Sequence, residues 1–148
     1  MNITRSKAQH MIENSFVQVN GNIITKSAFD VNEQSNIEIL DTFKFSSIGG
    51  DKLQKALSDF KYDVNGKNFA DIGASNGGFT DCLLQHGAKK VYAVDVGECA
   101  FPEELKNDSR VIIKDRTNAR YINAETFGER VDFVCVDVSF ISLKLILP

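Results

Sequence analysis

The nine residues Asp71-Ile72-Gly73-Ala74-Ser75-Asn76-Gly77-Gly78-Phe79 decide the fold. Residues 68–72 ahead of them read as a buried strand, and 78–85 behind them read as a helix. A glycine-rich turn between a strand and a helix sits where doubly wound α/β folds bind nucleotides, because glycine tolerates positive φ and a close ligand. Further downstream, 90–95, 111–114 and 131–136 read as strands, with a short helix over 102–107. Repeated β-α-β of this kind implies a parallel sheet with right-handed crossovers. Residues 139–148 look like the opening of another helix, so the sheet is expected to be cut short after its fourth strand. An uncovered edge strand of that kind would favour self-association.

Upstream the pattern differs. Residues 5–14 carry Ala8, Met11 and Ile12 at helical spacing, and 16–19 alternate like a strand before Asn20-Gly21, the signal of a tight hairpin. The return strand falls at 22–24 and another at 36–40. Leu53, Ala56, Leu57 and Phe60 then define an amphipathic helix over 50–60. The division expected is a small α+β unit over 1–45, a linker and helix carrying Lys52 over 46–66, and the α/β region over 67–148.

The chain has 148 residues, 43% apolar and 25% charged, which suits a globular protein and excludes a disordered one. Its net charge of −3 supplies no bulk attraction to nucleic acid or to an anionic membrane, so any RNA contact must be local. No stretch approaches the roughly 20 apolar residues of a membrane span, and Met1-Asn2-Ile3-Thr4-Arg5 lacks the apolar core of a signal peptide. A cytoplasmic protein with no membrane partner is expected. Cys82, Cys99 and Cys135 are odd in number and far apart, with no metal-ligand spacing, so reduced thiols and no metal site are expected.

Two cofactor classes compete for the glycine turn. Dinucleotide sites favour G-x-G-x-x-G around a pyrophosphate, whereas this spacing is G-x-x-x-G-G with a carboxylate two residues before the first glycine. Asp71 would repel a pyrophosphate. It suits the α-ammonium and sulfonium of S-adenosylmethionine, and Asp95 at the end of the second strand could accept the ribose hydroxyls. The bland alternative is a tight turn, with Asp71 and Asp95 capping neighbouring helices.

Four segments carry a resemblance: Asp71 to Asp81 (D-I-G-A-S-N-G-G-F-T-D), Val91 to Gly97 (V-Y-A-V-D-V-G), Arg116 to Arg120 (R-T-N-A-R) and Asp137 to Leu143 (D-V-S-F-I-S-L). Together they resemble the TlyA family of bacterial ribosomal-RNA 2'-O-methyltransferases, which have an FtsJ-like catalytic domain and are often labelled haemolysins. Ser6-Lys7-Ala8-Gln9 through Val17-Gln18-Val19-Asn20-Gly21 resembles the RNA-binding module of the ribosomal protein S-four type. The resemblance implies a Rossmann-like fold that binds S-adenosylmethionine and transfers its methyl group to a ribose 2'-hydroxyl of ribosomal RNA. It implies that Lys52 and Asp137 are two members of a Lys-Asp-Lys-Glu tetrad, the other two lying past Pro148. The cofactor residues it implies are Asp71, Gly73, Ala74, Ser75, Gly77, Gly78, Phe79, Asp95, Val96 and Asp137. Asp115, Thr117 and Asn118 would lie over the adenine or form a polar surface loop. Arg5 and Lys7 would touch RNA or form a solvated helix face.

The pattern departs from the family at three places. Ile48 stands where the family carries arginine, Glu98-Cys99-Ala100-Phe101-Pro102 replaces the usual segment after Gly97, and the RNA-binding module is expected to lack its usual first helix. Three rival readings remain at this stage: an inactive cofactor- or RNA-binding remnant, a membrane-active haemolysin, and a nicotinamide-dependent oxidoreductase. An amphipathic cationic segment would support the haemolysin, and none stands out.

Overall fold

The computed structural model describes residues 5–40 and 44–146, without the side chains of Ser6, Lys7 and Ala124. The chain divides into two units, 1–44 and 45–148. In the first, α1 (Arg5–Glu13) precedes β1 (Val17–Val19), β2 (Asn22–Ile23) and β3 (Ile37–Ile39), an antiparallel sheet of order β2-β1-β3. Asn20 and Gly21 both take positive φ, 51° and 81°, the backbone that a two-residue hairpin needs to match strand twist. They set the register Val19↔Asn22. Met11, Val19 and Ile24 are buried in this unit.

The second unit opens with α2 (Gly49–Asp59), whose Leu53 and Leu57 face the core. Then come β4 (Asn68–Ile72), α3 (Gly78–Gln85), β5 (Lys90–Val94), α4 (Glu103–Lys106), β6 (Val111–Lys114) and β7 (Phe133–Val136). The strands form a parallel sheet of order β6-β5-β4-β7, with β4 buried along its whole length. Such a sheet must be covered on both faces. Phe69, Val91 and Ala93 pack on one face with Leu53, Leu57 and Leu83 from the helices, and Ala70, Ile72, Tyr92 and Val94 fill the other. The doubly wound fold expected from the sequence is the one observed.

Strand order reverses between β4 and β7, and ligands of open α/β sheets bind beyond the carboxyl ends of the strands at such a reversal. Here it brings the residue after β4, Gly73, against the residue after β7, Asp137, whose amide donates to Ile72 O at 3.0 Å. Among the described residues β7 is one edge of the sheet, with Phe133 and Val134 exposed.

Two expectations need correction. The helix read over 139–148 is absent among the described residues: Phe140 takes φ +63°, and only a single 3-10 turn forms at Leu143–Leu145. A bulky residue in the left-handed region breaks a right-handed helix at that point. Asp137 therefore caps no helix. The strand read from 131 starts at Phe133, because Asp132 bends inward to bond Asn68: its amide donates to Asn68 O, and its carboxylate accepts from the Asn68 amide.

Candidate cofactor and catalytic site

The turn after β4 is built on positive φ. Gly73 (86°), Ser75 (47°) and Gly77 (82°) all adopt it, and the amides of Gly73 and Ala74 donate to Val94 O at 2.8 and 3.1 Å. A side chain at Gly73 would meet the Asp137 carbonyl, so glycine is what lets the ends of β4 and β7 touch. Gly78, opening α3, lies against Ser47 and Gly50 at the start of α2.

Asp71 is fully buried just before this turn. Its Oδ2 accepts the Thr80 hydroxyl at 2.7 Å, while Oδ1 has no hydrogen-bond partner. Burial pushes its pKa from 3.8 up to about 6. Hydrogen bonds from the Thr80 hydroxyl and amide oppose that rise, and the charges of Asp137 and Asp95 add to it. A buried carboxylate with one empty oxygen is costly by itself and fits a cationic ligand.

Two cavities meet along Gly73, Ser75, Asp137 and Ser139. The polar one, 310 Å³, is also lined by Lys52, Asp71, Ala74, Gly78 and Phe79. The second, 470 Å³ and more apolar, is lined by Asp95, Val96, Thr117 and Asn118 together with Ile72, Val94 and Ile141. Both volumes fall in the range of small-molecule sites, roughly 300–1,000 Å³. Asp95 is already oriented there, accepting from the amides of Ser75 (2.9 Å) and Gly97 (2.8 Å).

Gly77 and Asp115 line neither cavity. Gly77 packs on Phe101 and Leu105, and Asp115 accepts the Cys99 amide at 2.8 Å, so both support the turn from behind. Burial first, and then the bond to Asp115, hold the Cys99 thiol above its ordinary range. The segment departing from the family after Gly97 is thus structural packing around Phe101. Sequence reasoning did not single out Asn76, Ser139, Phe140 or Ile141 as cavity residues. Their signal lay in the quoted motifs, but nothing in residue type marked them.

At the junction of the cavities, Lys52 Nζ stands 3.1 Å from Asp137 Oδ2. The side chains are 63% and 45% exposed, so the pair contributes only about 0–1 kcal/mol to stability. In the first unit Arg5 is exposed on α1, while the side chain of Lys7 lies outside the described residues. Among the described residues no cluster could hold a metal ion, no helix is long and apolar enough to cross a membrane, and the three cysteines are free.

A glycine turn at a topological switch, a buried acid behind it and a second acid past the next strand form the arrangement in which open α/β sheets bind ligands. Comparison with known proteins agrees. The family described as FtsJ-like methyltransferase matches residues 45–148, and the S4 domain matches residues 1–37. The chain belongs to the FtsJ-like methyltransferase family, in the branch that carries the TlyA and haemolysin names. It is 48% identical over 146 residues to Hemolysin A of Brachyspira hyodysenteriae, spanning 98% of this chain and 61% of that protein. It is 40% identical over 147 residues to the 16S/23S rRNA (cytidine-2'-O)-methyltransferase TlyA of Mycobacterium tuberculosis, spanning 98% and 55%. A solved Streptococcus thermophilus protein labelled a haemolysin superposes with a TM-score of 0.73 at 39% identity, over 97% of this chain and 54% of that one. The chain thus spans little more than half the length of these relatives.

Proposed function

We propose that the joined cavities bind S-adenosylmethionine, and that the chain carries part of the machinery that methylates a ribose 2'-hydroxyl of ribosomal RNA in the cytoplasm. The observation that carries this reading is Asp71, a buried carboxylate with an unpartnered oxygen at the polar cavity. Its charge would hold the cofactor's α-ammonium. Asp95, across the apolar cavity, would accept the ribose hydroxyls, with Val96, Thr117 and Asn118 beside the adenine. Gly73 and Ser75 line both cavities, and Ala74, Gly78 and Phe79 would flank the cofactor in the polar one. When bound, the cofactor supplies an electrophilic methyl group.

Asp137 stands where the two cavities join, with Lys52 beside it in the polar one; there the Lys52 ammonium would position the incoming hydroxyl and the Asp137 carboxylate would take up its proton. A 2'-hydroxyl is a poor nucleophile without such help. The rRNA methyltransferase named TlyA in Mycobacterium tuberculosis, to which this chain is similar, and the S4 domain over residues 1–37 support ribosomal RNA as the acceptor. Arg5 and Lys7 on α1 would contribute phosphate contacts.

The test is calorimetric titration with S-adenosylmethionine and, in parallel, with NAD, followed by transfer of labelled methyl to ribosomal RNA. Saturable binding of S-adenosylmethionine alone, lost in Asp71→Ala and Asp95→Ala, supports the cofactor assignment. Binding of NAD instead would overturn it. Transfer that stops in Lys52→Met and Asp137→Asn supports the catalytic assignment, whereas binding without any transfer would make this chain a cofactor-binding remnant.

A further inference from the structure

Lys52 meets Asp137 through an ion pair too exposed to hold a helix in register. The placement of α2 must be set elsewhere. Its first turn lies against the first turn of α3, where Gly78 leaves room for Ser47 and the Gly49-Gly50 backbone, and the buried Phe45 ring fills the space beside Gly50. Close packing of this sort sets a distance between helices but fixes their rotation less than a directional bond does.

A directional bond crosses the same contact. The Ser46 amide donates to Oδ2 of Asp81, on the first turn of α3, at 2.7 Å. The other carboxylate oxygen accepts from Gln85 Nε2 at 2.9 Å, one helical turn on, which fixes the carboxylate's rotation. A short bond from a backbone amide to a charged acceptor is among the stronger and more directional contacts available. It acts on the chain three residues before α2 begins, and Lys52 lies on the first turn of that helix.

We infer that Asp81 is a positioning residue for Lys52: by pinning the Ser46 amide it sets how α2 leaves α3 and so brings Lys52 to Asp137. This deepens the reading of Lys52 and Asp137 given above and rests on it. Asp81 touches neither cavity, so it acts only through α2. The competing view is that Asp81 merely stabilises the first turn of α3, and under that view its loss would leave the Lys52–Asp137 distance unchanged.

Zero-length carbodiimide coupling of amines to carboxylates, quantified by mass spectrometry on the intact 148-residue chain, separates these views without needing turnover. Lys55 and Asp59, 2.9 Å apart within α2, report on the integrity of the helix itself. In Asp81→Ala the Lys52–Asp137 product should fall about fivefold or more while the Lys55–Asp59 product stays constant; Asp81→Asn, which keeps an acceptor oxygen, should restore part of it. Transfer rate should fall in parallel, with S-adenosylmethionine affinity within about twofold of the unaltered chain. An unchanged Lys52–Asp137 yield, no such product in the unaltered chain, or a parallel fall of both products would each overturn the inference. Should the unaltered chain transfer no methyl group, the catalytic reading fails while the coupling yields still decide the role of Asp81.

Discussion

The Thr80 hydroxyl donates to Oδ2 of Asp71 at 2.7 Å, and both residues are sealed from solvent. Asp71 ends with a pKa near 6, since burial outweighs the help from Thr80. Below pH 3.8 the carboxyl is protonated in both folded and unfolded chains and contributes nothing. Between 3.8 and about 6 the unfolded chain loses the proton first, so stability falls as pH rises. Above about 6 the cost is constant, about 3 kcal/mol at most. Asp71→Asn should therefore be more stable than the unaltered chain by about 1–3 kcal/mol at pH 8 and no different near pH 3, measured by urea unfolding.

The same titration should govern the cofactor. An ammonium group pairs only with the ionised carboxylate, so affinity for S-adenosylmethionine should weaken about tenfold between pH 7 and pH 5, and it should fall again above about pH 8 as the ammonium itself loses its proton. Calorimetry across this range tests it. A flat profile in the unaltered chain would remove Asp71 from the ammonium site.

Thr80→Val keeps the shape and removes the donor. Since the Thr80 bonds lower the Asp71 pKa, their weakening should move the midpoint of the affinity profile to higher pH. Stability at pH 8 should drop by about 1–3 kcal/mol, the cost of stripping a partner from a buried charge. An affinity midpoint that stays in place would show that Asp71 does not titrate in binding.

Much of this arrangement was legible in the letters, and the rest fails for definite reasons. Asp71, the glycine turn and Asp95 stood out because each breaks an otherwise apolar run at a strand end. The helix expected after Asp137 did not form, because the apolar run Phe140-Ile141 lines the second cavity and leaves the helical region at Phe140. Asp81 closes the first quoted motif, yet nothing in its residue type marked a role: an acid on the first turn of a helix is ordinary, and only tertiary contact shows that it reaches Ser46. Asp115 was expected beside the adenine only through the family resemblance; its carboxylate accepts the Cys99 amide and lines neither cavity.

Glycines at positive φ offer an internal comparison. Gly73→Ala meets both a left-handed backbone and the Asp137 carbonyl, so it should cost about 2–5 kcal/mol and disturb the cavities. Gly66→Ala and Gly128→Ala also sit at positive φ but have open space around the added carbon, and each should cost only about 1–2 kcal/mol. Thermal unfolding of the three variants checks the order. Equal losses would mean that the close approach of β4 to β7 does not need glycine.

At the opposite end of the sheet, Glu129 gathers three donors at the amino ends of β4 and β5: Lys90 Nζ, Tyr92 Oη at 2.6 Å and Asn68 Nδ2 at 2.9 Å. The bond from Lys90, then that from Tyr92, pull its pKa from 4.5 down to about 2. A depressed folded-state pKa gives stability that is present above pH 4.5 and lost as pH falls toward 2. Glu129→Gln should therefore unfold at lower temperature than the unaltered chain at pH 7, with the difference vanishing near pH 2. Affinity for S-adenosylmethionine should not change, because the network lies a full strand length from Gly73 and Asp95. Its pH response thus runs opposite to that of Asp71. Unfolding of Asp71→Asn and Glu129→Gln across the same pH series should show differences from the unaltered chain of opposite sign, and the same sign for both would overturn the assignment of either carboxylate.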